Sequence, residues 1–156
     1  MASVPPPSRG ALTRDILESL RNLNVQLSLL NQQVGARIEL RGTDLSCLDL
    51  ISRGGPISPK ALAKRASLHP ATLTGILDRL ERGGWIIRDR DPDDRRGVLL
   101  RARTERNSEV AGQFAGMLHA MTTICAGYTD AELELITDFL RRTAEAGRQA
   151  ADTLAG

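Results

Sequence analysis

The spacing of apolar positions divides the chain into a run of amphipathic segments. From Thr13 to about Leu40, Ile16, Leu20, Leu23, Leu27, Leu30 and Val34 recur in steps of 4, 3, 4, 3 and 4. That spacing predicts one long helix with a heptad-like seam. Thr13 is a suitable N-cap, and Asp15 and Glu18 are favourably placed in the early turns. Residues 1–12 precede the pattern; with Pro5-Pro6-Pro7 and Gly10 they are expected to form a disordered or extended tail. So long a helix has little to pack on within one small chain. Its seam is expected to meet the chain's own C-terminal helices, a second copy of the chain, or both.

The period changes at Gly42. Thr43-Asp44 can cap a new helix whose apolar face is Leu45, Leu48 and Ile51, and Arg53-Gly54-Gly55-Pro56 ends it. Ser58 then serves as N-cap and Pro59 as first residue of a short helix, Pro59–Ala66. After the turn Ser67-Leu68, His69-Pro70 opens a second helix to about Arg82, buried along Leu73, Ile76, Leu77 and Leu80. Two short helices joined by a tight turn form a helix-turn-helix. Gly83-Gly84 stops the second. Trp85-Ile86-Ile87-Arg88 and Val98-Leu99-Leu100-Arg101 read as paired strands around the polar loop 89–97, so a β-hairpin, or wing, follows directly. Beyond Thr104, Val110, Phe114, Met117, Leu118, Met121, Ile124 and Cys125 keep a helical period. Gly127-Tyr128 breaks it, Thr129 with Glu132 suits a capping box, and a last helix runs on to about Asp152. The expected fold is mainly α with a small β-wing. A lobe at 43–103 is flanked by an N-terminal helix at 13–42 and C-terminal helices at 104–156.

Composition narrows the function classes. At 156 residues with 41% hydrophobic but only 3% aromatic residues, the core must be aliphatic. No run approaches the roughly 20 apolar residues of a membrane span. The start lacks the layout of a signal peptide, so a cytoplasmic protein with no membrane partner is expected. Cys47 and Cys125 are flanked by apolar residues, and are expected to be small buried hydrophobes and not reactive thiols. No metal-ligand spacing, Gly-rich phosphate loop or nucleophile–base pair stands out, so neither an enzyme nor a cofactor is expected. Charge is unevenly spread. Residues 58–103 hold eleven Lys/Arg against six Asp/Glu, net +5, whereas the remainder is net −3. A basic middle between acidic ends is the footprint of a nucleic-acid-binding module.

The stretch GPISPKALAKRASLHPATLTGILDRLERGGWIIRDRDPDDRRGVLL resembles the MarR family of winged helix-turn-helix regulators. The recognition-helix segment LTGILDRLERGGWI and the wing RDRDPDDRRGVLL carry the likeness, which extends to the whole chain in helix order. Two departures stand out. His69 sits where the family often has Ser or Thr, and imidazole caps less well than a short hydroxyl. Ala102-Arg103-Thr104-Glu105-Arg106-Asn107 replaces the family's frequent Leu-Thr-x-x-Gly after the wing.

The resemblance implies a bacterial transcription regulator, by default a repressor, acting as a homodimer on a pseudo-palindromic operator in double-stranded DNA. The terminal helices would make the dimer interface. Side chains near the N-terminus of a recognition helix reach base edges in the major groove, which singles out Pro70, Ala71, Thr72 and Thr74. Gly75 would allow close approach of the backbone. His69 would meet a phosphate or a base, and Ser58, Lys60 and Lys64 phosphates. Arg79 would hold a phosphate or pair with Asp78 or Glu81 on its own helix. In the hairpin, Arg88 and Arg90 are further DNA-binding candidates. Arg95 and Arg96 would enter the minor groove, with Asp94 bracing Arg96 as the family likeness implies. Many family members also bind a small aromatic or phenolic acid between the dimerisation helices and the DNA-binding lobe, for which Arg37, Arg41 and His119 are carboxylate partners to weigh against plain surface roles. Two rival readings remain: a thiol-based oxidation sensor on the same fold, and a winged helix that docks on a protein.

Overall fold

A computed structural model describes residues 6–94 and 97–155. The chain divides into two compact units, Met1–Gly42 and Thr43–Gly156.

The first unit holds helix α1, Arg9–Ile38. It begins four residues before the predicted Thr13, so part of the expected tail is helical. Ser8 is the reason: its backbone is extended and its hydroxyl accepts the Ala11 N–H at 3.2 Å. Thr13 is an interior residue that donates to the Arg9 carbonyl at 2.9 Å. Glu39 closes the helix in the left-handed conformation, with Leu40 N–H bonded to the Gly35 carbonyl at 2.9 Å. Ile16, Leu23 and Leu27 of the predicted seam are exposed, as are Leu12, Leu17, Val25 and Leu29.

The second unit contains α2 (Gly42–Gly54, whose first residue belongs to the preceding unit), α3 (Pro59–Ala66), α4 (Pro70–Arg82), β1 (Ile86–Arg90), β2 (Val98–Ala102), α5 (Thr104–Cys125) and α6 (Asp130–Ala155). Because α2 starts at Gly42, Thr43 and Asp44 lie inside its first turn and do not precede it. The lobe core is aliphatic, as composition requires: Leu45, Leu48, Ile51, Leu62, Leu73, Ile76, Leu77, Leu80, Ile86 and Leu100 are buried, joined by Cys47 and Trp85. The strands pair antiparallel, with Ile86 opposite Ala102 and Arg90 opposite Val98. Ile57 forms an isolated bridge to β2, exchanging N–H···O bonds of 3.1 and 2.8 Å with Leu100 and so pinning the entry of α3 to the wing.

Trp85 lies outside the strand predicted for it. Its N–H closes the end of α4 on the Leu80 carbonyl at 2.8 Å, and its carbonyl accepts Arg103 N–H at 2.9 Å. The chain reaches that position through Gly84 at φ 71, a left-handed turn that side chains resist.

The capping box at α6 forms as expected: Thr129 N–H donates to Glu132 at 2.8 Å and Glu132 N–H to the Thr129 hydroxyl at 3.4 Å. The Thr129 N–H, joined by the Thr129 hydroxyl that donates to the same carboxylate at 2.8 Å, holds the Glu132 carboxyl below its ordinary range. Among the described residues of α5 none is buried. Leu118, Met121 and Ile124 on α5 are exposed, and so are Leu135, Phe139 and Leu140 on α6. Cys125 corrects the expectation of two buried thiols: it is the last residue of α5 and is exposed. Cys47 is fully buried, and desolvation, with Asp44 nearby, pushes its thiol up to about 11.

Candidate nucleic-acid interface

Helix α4 presents one wet face because its other face is committed to the core. Leu73, Ile76, Leu77 and Leu80 are buried, whereas Pro70, Ala71, Thr72 and Thr74 are exposed. The helix N-terminus is capped by His69 after all. With an extended backbone (φ −65, ψ 139), its Nδ1 accepts the Ala71 N–H at 3.3 Å. An accepting Nδ1 assigns the proton of a neutral imidazole to Nε2, so the exposed ring carries a donor. Thr74 donates to the Pro70 carbonyl at 3.0 Å, which engages its proton and leaves its methyl group and an oxygen lone pair for a partner. At Gly75 an added Cβ would meet only the Arg79 guanidinium, at an ordinary 3.7 Å. Nothing among the described residues therefore requires a glycine there.

The neighbouring helix is set by the same local chemistry. Ser58 caps α3 by accepting Ala61 N–H at 3.2 Å, with Pro59 at the first position. Lys60 and Lys64 are exposed along it. The tight turn is made by Ser67 in the left-handed region (φ 50) and by Leu68 N–H on the Ala63 carbonyl at 2.9 Å.

The arginines divide differently from the expectation. Arg79 pairs with neither Asp78 nor Glu81. It reaches back 35 residues to Asp44 in a fork, Nη2 to Oδ1 at 2.7 Å and Nε to Oδ2 at 3.1 Å. Asp44 is 1% exposed, and its carboxylate raises the Arg79 pKa further. Asp78 and Glu81 are instead taken by Arg88, at 2.6 and 3.1 Å, which ties β1 to the outer face of α4. Across the hairpin Arg101 pairs with Asp89. Arg90 is exposed at the end of β1.

The wing tip closes through Asp91. Its N–H bonds the Gly97 carbonyl at 3.0 Å, its side chain accepts Asp93 N–H at 3.0 Å, and Gly97 N–H bonds the Asp94 carbonyl at 2.8 Å. A Cβ on Gly97 would come within 2.8 Å of the Asp91 Cβ, so the tip is as tight as glycine permits. Arg95 and Arg96 lie outside the described residues, and with them the expected brace from Asp94.

The MarR family model matches residues 40–98. Over 138 residues, 88% of this chain and 90% of the relative, the sequence is 30% identical to an uncharacterised HTH-type transcriptional regulator of Bacillus subtilis, YcgE. The chain belongs to the MarR family.

A shorter match of 84 residues, 54% of the chain and 50% of the relative, is 30% identical to the transcriptional repressor YetL of Bacillus subtilis. A solved MarR protein from Peptoclostridium difficile superposes with a TM-score of 0.66, covering 99% of both chains at 17% identity, which shows the shared fold. As a MarR-family member the chain is a DNA-binding transcriptional regulator and not an enzyme. No helix among its described residues is long and apolar enough to cross a membrane.

Three structural supports of this MarR lobe escaped the sequence reading. Asp44 looked like capping chemistry and is the buried partner of Arg79. Arg106 lies over the Trp85 ring, 3.9 Å from its centroid, and donates to the Gly83 carbonyl at 2.7 Å. Asn107 donates to the Ser52 hydroxyl at 2.8 Å, 55 residues away. The departure from the family pattern at 102–107 was the one sequence signal, and it marked the segment without revealing its partners.

Proposed function

We propose that the chain acts in the cytoplasm as a homodimer that reads a pseudo-palindromic operator and represses the promoter it covers. The observation that carries this reading is the capped, exposed N-terminal face of α4, flanked by Ser58, Lys60 and Lys64. His69, Pro70, Ala71, Thr72, Thr74 and Gly75 face bases or the nearest phosphates. Arg90, Arg95 and Arg96 extend the contact from the wing. Arg79 and Arg88, each engaged by carboxylates of the lobe, brace the helix and not the DNA. The exposed apolar residues of α1, α5 and α6 support a second copy as the partner that covers them. The repressor role is supported by the likeness to YetL. By family likeness a small aromatic acid that binds one spacing of the lobes better than another would shift operator affinity.

Fluorescence anisotropy against the protein's own upstream DNA and scrambled DNA, across a salt series, tests this. Tight salt-dependent binding to the first alone is expected. Replacing Arg95 and Arg96 by Ala should weaken affinity for both DNAs and lower the salt slope by about one for each phosphate no longer neutralised. Absence of binding to either DNA at low salt would refute the reading in favour of a protein partner.

The exposure of Cys125 favours one second reading, an oxidation-sensing regulator that uses this thiol. Cys47 is unsuited to that role, since the neutral thiol is favoured in its dry site. Unchanged operator affinity after peroxide treatment would remove this reading.

A further inference from the structure

Arg106 sits in the first turn of α5 and reaches the end of the recognition helix with its guanidinium. The guanidinium covers the face of Trp85 at 3.9 Å, and Nη1 donates to the Gly83 carbonyl at 2.7 Å. Gly83 is the C-cap of α4, where the helix dipole presents partial negative charge. The stack is closely fitted: a Cβ on Gly83 would lie 2.7 Å from the indole, and Trp85 itself is 3% exposed. Glu109 holds the other side of the guanidinium, 3.2 Å from Nε.

The next residue pins the same turn to a different element. Asn107 donates to the Ser52 hydroxyl at 2.8 Å, and Ser52 in turn donates to the Leu48 carbonyl of α2 at 2.8 Å. Two consecutive side chains of α5 thus contact the end of α4 and α2.

We infer that Arg106 is the positioning residue that joins α5 to the recognition helix, so that movement of α5 is passed to α4 without slack. This rests on the homodimer reading, in which the terminal helices fix the distance between two recognition helices. Reading two half-sites at once requires that distance to be held. A loosened joint would leave each lobe able to touch phosphates but unable to keep both helices in register.

The test uses the full-length protein with Arg106→Ala and Arg106→Lys. Lysine keeps a cation over the ring but loses the fork that reaches the carbonyl. Affinity is measured for the upstream DNA and for scrambled DNA, with the dimer checked by light scattering. Trp85, the sole tryptophan, reports the joint through its fluorescence. The expected result for Arg106→Ala is a dimer whose preference for upstream over scrambled DNA falls about tenfold or more, within the usual range of site-to-site coupling. Its scrambled-DNA affinity and salt slope should be unchanged, its Trp85 emission altered, and Arg106→Lys should fall between it and the parent.

Proportional loss on both DNAs would show Arg106 to be merely structural and overturn the inference. So would a folded Arg106→Lys protein with the parent's preference and an altered Trp85 signal, should the alanine variant fail to fold. A parent protein that is monomeric, or shows no preference, would overturn the underlying homodimer reading, and the inference with it.

Discussion

The Asp44–Arg79 pair makes an asymmetric demand on stability. The Asp44 side chain is 2% exposed, whereas that of Arg79 is 37% exposed. Removing Arg79 takes its two-pronged guanidinium contact away from a carboxylate in a dry site, and breaking a buried pair in this way costs about 3 kcal/mol or more. Removing the charge of Asp44 with Asp44→Asn keeps the shape of the site. It releases an arginine that can turn its guanidinium to water, so the loss is about 1–2 kcal/mol, near that of a charged hydrogen bond. For a chain of this size each kcal/mol corresponds to roughly 2–4 °C in Tm. Arg79→Ala should therefore melt about 6–12 °C below the parent and Asp44→Asn about 2–8 °C below, with at least ~1 kcal/mol between them in urea. Far-ultraviolet circular dichroism and Trp85 fluorescence, at one protein concentration, give both numbers. The double variant should lie closer to Arg79→Ala than the two losses summed, because the residues touch. Equal losses, or a larger loss for Asp44→Asn, would refute the argument that the buried carboxylate is the dependent partner. A loss of DNA affinity in Arg79→Ala without any loss of stability would return Arg79 to the phosphate-contacting set.

Other perturbations separate local from tertiary effects. Gly75→Ala should stabilise the free protein by about 0.5–1 kcal/mol, since alanine is the better helix former. In DNA titrations it should nonetheless weaken operator binding if the backbone approaches the groove there; a gain in both would show that it does not. A maleimide or iodoacetamide time course should modify Cys125 in the folded protein and Cys47 only after denaturation; early labelling of Cys47 would contradict its burial. Because the Cys47 thiol rises from 9.0 to about 11 on folding, the unfolded chain loses that proton first as pH increases. The contribution is thus whole below pH 9 and fades between 9 and 11, by about 3 kcal/mol at most. Alkaline urea melts should show this limb in the parent, and Cys47→Ala should lack it. Gly84→Ala forces alanine to φ 71 at the exit of α4 and should cost about 1 kcal/mol, read as a Tm decrease.

Local chemistry is what the sequence determined by itself. The helix-turn-helix bounds, the cap at Ser58, the Thr129–Glu132 box and the hairpin all depend on residues within a few positions of one another. Propensity, periodicity and capping act over that range, so Pro59–Ala66 and Pro70–Arg82 emerge with the bounds expected of them. The division of α4 into a buried stripe and a wet face is equally local, a consequence of 3.6 residues per turn. Where another local cap competed, as Ser8 did with Thr13, the cap moved by only five residues.

The tertiary structure alone decided which charges are engaged inside the lobe and which stay exposed. Arg79 had two acidic neighbours on its own helix and took a third from α2, because Asp44 is buried and needs a cation more than the exposed Asp78 and Glu81 do. Those two then fell to Arg88 of β1. Trp85 left the strand pattern because the end of α4 needed its N–H, and its ring became the seat of Arg106. Periodicity likewise could not distinguish Cys47 from Cys125, since both follow an apolar helical stripe. One stripe is covered by the lobe and the other is not, and burial depends on what folds against a face, not on the face itself.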